Sequence, residues 1–278
     1  MRATNMMSIA SNVVSLTAQK NLNRTQTTLA SNLGRLSSGQ RIQTAADDAA
    51  GLGISERLKA QIRSLSQAQR NAADGLSMTQ IADGAMNEQA GILVRLRELA
   101  VQAANGTLGT AERGYIQTEA DELVGEIDSI ANQTAYNHIL MIAPGATAMD
   151  FQVGINNGET IAVGFIATDT SALGVDALDY SSAGSASAVI DSIDAAIDLM
   201  SNARSTIGAS QNRIQVAMQN LATAHENLSA ANSRIRDVDV AEETSAMTRN
   251  QILSQAGVAV LAQANQLPQS ALSLLGGR

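Results

Sequence analysis

From Ile190 to Ile235 one spacing repeats without interruption. Positions 190, 193, 197, 200, 204, 207, 211, 214, 218, 221, 225, 228, 232 and 235 alternate steps of three and four, and ten of the fourteen hold Ile, Leu or Met. The exceptions are Arg204, Gln211, His225 and Asn232. A seam of this length and period is a coiled-coil signal, and a helix that carries it must bury it against another long helix. The rest of the chain permits such partners. Its two prolines are Pro144 and Pro268, so the first 143 residues contain none, and no ring there removes a backbone donor or clashes with a preceding turn. Aromatic residues make up 2% of the chain against 45% hydrophobic, so the core must be built from Ala, Leu, Ile, Val and Met.

Upstream, residues 5–36 read as a helix, with Ile9, Val13 and Leu16 followed by a stripe of Leu22, Leu29, Leu33 and Leu36. Ser37, Ser38 and Gly39 break it, because glycine ends a helix without a steric penalty. Asp47 and Asp48 are expected to cap the next helix, which then runs to about Ala104 on a face of Ile54, Leu58, Ile62, Leu65, Ala72, Leu76, Met86, Ala90, Leu93 and Ala100. At ~1.5 Å per residue this helix is about 85 Å long. Residues 105–109 form a turn, Thr110 is the expected N-cap, and Ile116, Ala120, Leu123, Ile127 and Ile130 mark a third helix.

The period then changes to two. Phe151, Val153 and Ile155 alternate with polar or small residues, Asn156, Asn157 and Gly158 supply a turn, and Ile161, Val163 and Phe165 alternate again, which predicts a β-hairpin. Residues 168–187, rich in Ser, Ala, Thr, Gly and Asp, are expected to be loop and surface. A last seam of Leu253, Val260, Leu267 and Leu274 repeats every seven residues, with Pro268 inside it. The fold class expected is mainly α: a long antiparallel helical rod or coiled-coil bundle with a small β-hairpin near the middle of the chain. Residues 1–46 and 238–278 would pair as a terminal coiled coil, 47–136 and 188–237 as a helical rod domain, and 137–187 as the hairpin and a short surface segment. Each terminal stripe is too narrow to be satisfied within one chain, so apolar surface is left over for association.

Charge follows the same division. All 26 acidic side chains lie between Asp47 and Glu243 with 11 of the 18 basic ones, giving that stretch a net −15, while both ends are basic and acid-free. The ends lack the Lys/Arg density and stacking aromatics of a nucleic-acid surface, so no nucleic-acid partner is expected. No apolar run approaches the ~18–20 residues that span a bilayer, and no cleaved-signal pattern is present, so no membrane insertion is expected. With no cysteine and two histidines, thiolate chemistry and a three-His metal site are excluded. His225 lies on the seam and reads as a buried or half-buried histidine rather than a ligand, and His138 reads as a surface turn residue. Asp47–Asp48 and Glu242–Glu243 read as solvated cap residues rather than cation ligands. No zinc, nucleophile-elbow or phosphate-loop motif occurs, so neither an enzyme nor a cofactor is expected.

Three long runs carry a family resemblance. Leu33–Ile42 (LGRLSSGQRI) with Ala45–Leu52 (AADDAAGL) and Ile54–Arg57 (ISER), then Val94–Thr107 (VRLRELAVQAANGT), resemble the N-terminal region of bacterial flagellin. Gln251–Gly257 (QILSQAG) with Leu261–Leu275 (LAQANQLPQSALSLL) resemble its C-terminal region. Gln40, Gly53 and the terminal Gly276, Gly277 and Arg278 depart from the common pattern.

The resemblance implies a secreted structural subunit that self-assembles into the bacterial flagellar filament for swimming. Its alternatives are a hook–filament junction protein of the same superfamily and a periplasmic filament core subunit. It implies terminal helices at the filament core, with Ile9, Val13, Leu16, Leu29, Leu33, Leu36, Leu253, Val260, Leu267 and Leu274 as the core seam, and almost no outer domain. The partners implied are many identical subunits, a flagellar secretion chaperone, the flagellar type III export apparatus, and filament cap and junction proteins. The vertebrate toll-like receptor for flagellin is a further implied partner, through Arg95, Leu99 and Glu119.

Overall fold

The computed structural model describes residues 11–276, with side chains for residues 11–266. Ile9 and the side chains of Leu267 and Leu274 therefore lie outside the described residues. The elements in chain order are α1 (Val13–Ser38), α2 (Ala49–Ala103), α3 (Thr110–Gln133), β1 (Ala135–Tyr136), β2 (Ile139–Leu140), β3 (Met149–Gln152), β4 (Thr160–Val163), α4 (Thr170–Leu173), α5 (Ala183–Arg236) and α6 (Val240–Gly276). The chain is mainly α with a small hairpin, β3–β4, where the periodicity predicts one, and a second, β1–β2, that it does not. It divides into two compact units, a terminal one (Met1–Lys59 with Ser229–Arg278) and a central one (Ala60–Leu228).

The central unit holds the main core, where α2, α3 and α5 bury Met86, Leu93, Leu96, Ile127, Ile193, Met200 and Ile207 completely or almost so. The buried face of α5 is not quite the one the spacing predicts. Ile193, Met200, Ile207, Ile214 and Leu221 are buried as expected. The alternate positions are displaced by one residue: Val189, Ala196, Ala203 and Ser210 are buried, while Ile190, Ile197, Arg204 and Gln211 are half-buried flanks. Small side chains let the helices approach closely, and the longer neighbours then cover the rim. On α2 the expected face holds from Leu65 onward, but Ile54 is 53% exposed and Ser55 is buried in its place.

In the hairpin β3–β4, Phe151 lies opposite Ile161 and Met149 opposite Val163. Gly158 adopts φ +85° in its turn. The ring of Phe151 packs onto α2 at Gly75, where an added Cβ would come within 3.0 Å of it. We therefore expect Gly75→Ala to push the hairpin off the helix and cost ~1–3 kcal/mol in urea unfolding. A second hairpin, β1–β2, turns on Asn137 (φ 49°) and His138 (φ 65°). His138 is exposed, but it sits in a left-handed turn that carries no glycine to announce it.

Residues 168–187 are not the surface segment their composition suggests. Thr168, Thr170, Leu173, Val175, Tyr180 and Ala186 are all buried. The polar side chains here serve the interior. The Thr168 hydroxyl donates to Gln89 Oε1 (2.7 Å), and Gln89 Nε2 donates to the carbonyls of Ile127 (3.1 Å) and Thr168 (3.2 Å). Asp128 accepts from the Thr170 N–H (2.9 Å) and hydroxyl (3.0 Å), which holds the start of α4. The Tyr180 N–H donates to Gln117 Oε1, and burial pushes the Tyr180 hydroxyl up to about 12. Thr110 is the first helical residue of α3 rather than its cap, which is Gly109.

Candidate assembly surface

In the terminal unit α1 packs along α6. Asn12 starts α1, its Oδ1 accepting from the Ser15 N–H (3.0 Å) and its Nδ2 donating to the Ala264 carbonyl (2.8 Å). The Ser15 hydroxyl donates to Asn265 Oδ1 (2.8 Å). At the other end Gly39 closes α1 in the left-handed conformation, and its carbonyl accepts from the Val238 N–H. The Arg41 guanidinium donates to the Ile235 carbonyl (2.8 Å), and Arg236 donates to the buried Ser55 hydroxyl and pairs with Glu56. Asp48 caps α2 through the Gly51 N–H (2.9 Å), as expected.

Asp47 does something else. Its Oδ2 gathers the Thr44 N–H, the Thr44 hydroxyl and the Gln43 N–H, holding the preceding turn. The Thr44 N–H above all, then its hydroxyl and the Gln43 N–H, keep the Asp47 carboxyl below its usual 3.8. A depressed folded-state value means that this contribution to stability is present above the unfolded value and lost as the pH falls through the folded one. The turn should open only under acid conditions, read as loss of the downfield Thr44 amide shift, and Asp47→Asn should abolish that acid transition.

The polarity of the α1–α6 pair is inverted relative to a simple coiled coil. Leu22, Leu29 and Leu36 are half-buried against α6, but the most buried side chain of α1 is Asn32, at 4% exposure. On α6, Ala264 is buried and Gly257 seats Leu22, whose Cδ1 lies 3.2 Å from where a Cβ would stand. Eight other large apolar side chains point outward. Val13, Val14, Leu16 and Leu33 on α1, and Ile252, Leu253, Val258 and Val260 on α6, are all between 50% and 64% exposed. The expected core seam is thus split. Leu29 and Leu36 face the partner helix of the same chain, whereas Val13, Leu16, Leu33, Leu253 and Val260 face away from it. Val14, Ile252 and Val258 join the exposed set, and reading the stripe at neighbouring positions would have found them in the sequence.

The second group of expected contact residues does not form a single face. Arg95 donates to Glu119 (2.7 Å) and Glu98 (3.0 Å) on the surface, and the hydrogen bond it gives to Glu119, then that to Glu98, raises the Arg95 guanidinium further above its already high value. Leu99 is 1% exposed, in the core. A step of four residues on a helix this closely packed carries Leu99 over the edge of the exposed face, so a partner meeting this surface would touch Arg95 and Glu119 but not Leu99. Nearby, Arg97 pairs with Asp194 (2.6 Å) and Arg204 with Asp83 (2.9 Å), also at the surface. Among the described residues no group of three His, Cys, Asp or Glu side chains could hold a metal ion, and no helix is long and apolar enough to cross a membrane.

Comparison with known proteins gives this surface its context. Residues 9–147 match the bacterial flagellin N-terminal helical region, and residues 190–275 match the bacterial flagellin C-terminal helical region. A flagellin of Halalkalibacterium halodurans is 44% identical over 87% of this chain and 89% of its own length. The flagellar filament 33 kDa core protein of Treponema phagedenis is 40% identical over 97% of this chain and all of its own. The crystal structure of Bacillus cereus flagellin, 30% identical, superposes with a TM-score of 0.51 over 55% of this chain and 88% of that one. With both terminal regions matched and relatives aligned over most of its length, the chain belongs to the bacterial flagellin family.

Proposed function

We propose that this chain is the structural subunit of a bacterial flagellar filament outside the cell, polymerising through the outward apolar faces of α1 and α6. The observation that carries the reading is the outward polarity of that pair: Asn32 and Ala264 are its most buried side chains, Leu22, Leu29 and Leu36 are only half-buried, and eight large apolar ones are half or more exposed. Such a surface is stable in water only when other copies cover it. Residues 1–46 and 238–278 form the inner layer, 47–136 and 188–237 the next, and 137–187 lie outermost. The acid-free ends, 1–46 and 244–278, fall within that inner layer and most of the net −15 stretch between them falls outside it, which suits that order, since the outer charge keeps a polymer soluble.

Before assembly the subunit passes through the flagellar type III export apparatus, with a secretion chaperone covering the exposed face of α6. Cap and junction proteins engage the same faces at the two filament ends. The receptor contact runs through Arg95 and Glu119. Electron microscopy of mechanically sheared cells tests the reading: filaments built from this chain should be released outside the cell. Filaments that stay beneath the outer membrane would establish the periplasmic alternative instead.

A further inference from the structure

Asparagine precedes glycine at two places in the chain, Asn105–Gly106 and Asn157–Gly158. Asparagine is a chemically labile residue, most of all before glycine, which has no Cβ to keep its backbone nitrogen from the asparagine side chain. That nitrogen attacks the side-chain amide carbon, forming a C–N bond that closes a succinimide. Its proton passes to water, and the bond to Nδ2 breaks to release ammonia. Water then opens the ring at either carbonyl, leaving aspartate or isoaspartate. Water is the only co-reactant.

Both asparagines are exposed, and a Cβ added at either glycine would meet open space, so access does not separate the two sites. Hydrogen bonding does. Ring closure requires the peptide unit after the asparagine to rotate while the side chain swings to meet it. At Asn105 three bonds oppose this. The Thr107 N–H donates to the side-chain oxygen (3.2 Å), and the Leu108 N–H (3.3 Å) and the Arg113 guanidinium (3.0 Å) donate to the Asn105 carbonyl. At Asn157 no described residue bonds to the side chain, to its carbonyl or to the Gly158 N–H. The turn is closed around that unit instead. The Glu159 N–H donates to the Asn156 carbonyl (3.3 Å), and the Glu159 carboxylate accepts from the Asn156 N–H (2.9 Å) and Nδ2 (2.8 Å). The Asn157–Gly158 peptide is thus the central unit of a β-turn, which is held through its neighbours and has no bond of its own to lose.

We propose that Asn157 is a site of spontaneous deamidation in the folded chain, and that the fold shields Asn105 from the same reaction. Nothing in the solvent reverses the loss of ammonia, so the new carboxylate accumulates with time at the tip of the β3–β4 hairpin. The reaction lies within the central unit and does not depend on the proposed polymer.

The test uses the dispersed full-length chain, kept warm at mildly alkaline pH. A glutamate-specific protease separates the sites, placing Asn105 in peptide 99–112 and Asn157 in peptide 127–159, and fragment masses locate the acid. In the folded chain Asn157 should convert at least about tenfold faster than Asn105, because only Asn105 must first give up its hydrogen bonds. In urea the two rates should fall within about threefold of each other. Gly158→Asn accepts the left-handed turn but sets a side chain beside the attacking nitrogen, and should slow Asn157 by about tenfold. The proposal is overturned if Asn105 keeps pace with Asn157 in the folded chain, or if neither converts where the unfolded chain does. It is equally overturned if the tenfold ratio persists in urea, since the neighbouring sequence would then set it, or if Gly158→Asn leaves the rate unchanged. None of these results bears on filament formation, so the proposed function stands or falls separately.

Discussion

A chain ending at residue 243 will still unfold cooperatively and will form no filament. The large core of Met86, Leu93, Leu96, Ile127, Ile193 and Met200 lies wholly in the central unit and does not draw on α6. Removing residues 244–278 takes away the seam that α1 packs on together with half of the outward apolar surface. The sharper form of the experiment is Val260→Asp in the full chain. Val260 is 52% exposed in the single chain, so a carboxylate there stays hydrated and the thermal midpoint should move by no more than ~2 °C. In a polymer that buries this face the same carboxylate would lose its water without gaining a partner, at a cost of several kcal/mol per contact. Sedimentation and negative-stain microscopy should find monomers only. Filaments of normal length from Val260→Asp would show that the outward face of α6 is not a contact between copies.

The second large effect is expected in the central unit. Gln89→Leu keeps the volume of a fully buried side chain but strips three hydrogen bonds, leaving the Thr168 carbonyl and hydroxyl without their Gln89 partner and the Ile127 carbonyl with its helical bond alone. Each buried group left unsatisfied costs ~1–3 kcal/mol, and local rearrangement should recover part of that, so a loss of about 3–5 kcal/mol is expected. For a unit of this size the thermal midpoint should drop by roughly 10–15 °C. Leu93→Ala, which only opens a cavity, should cost a similar ~2–5 kcal/mol. The two are separable. Gln89→Leu should loosen residues 166–175 first, with rapid amide exchange there, whereas Leu93→Ala should weaken the whole core together. Uniform exchange in Gln89→Leu would mean that the network does not hold that segment.

Much of the helical architecture was legible because helices announce themselves locally. The seam from Ile190 to Ile235, the glycine at 39, the cap at Asp48 and the alternation around Asn156–Gly158 are each decided by residues within a few positions of one another. Where a signal depended on what lay across the interface, the sequence was a poorer guide. The buried row of α5 is displaced onto Ala196, Ala203 and Ser210 because close helix approach favours small side chains, and hydropathy alone ranks Ile197 above them. Residues 168–187 read as surface because their Thr, Ser and Asp are polar. The partners that let them be buried, Gln89, Gln117 and Asp128, are about 40 to 80 residues away in the chain.

The candidate assembly surface divides along the same line. By itself the sequence determined that both ends are acid-free, that they carry more apolar stripe than one chain can cover, and that they resemble flagellin. Only the tertiary structure decided which side of each helix remains uncovered. Leu253 and Val260 repeat with the same period as Gly257 and Ala264, and a periodicity of seven cannot say which of two rows faces the partner. The choice was made by packing: α1 lies against the row of α6 that holds Gly257 and Ala264, where small side chains leave room for Leu22, and that turns Leu253 and Val260 outward.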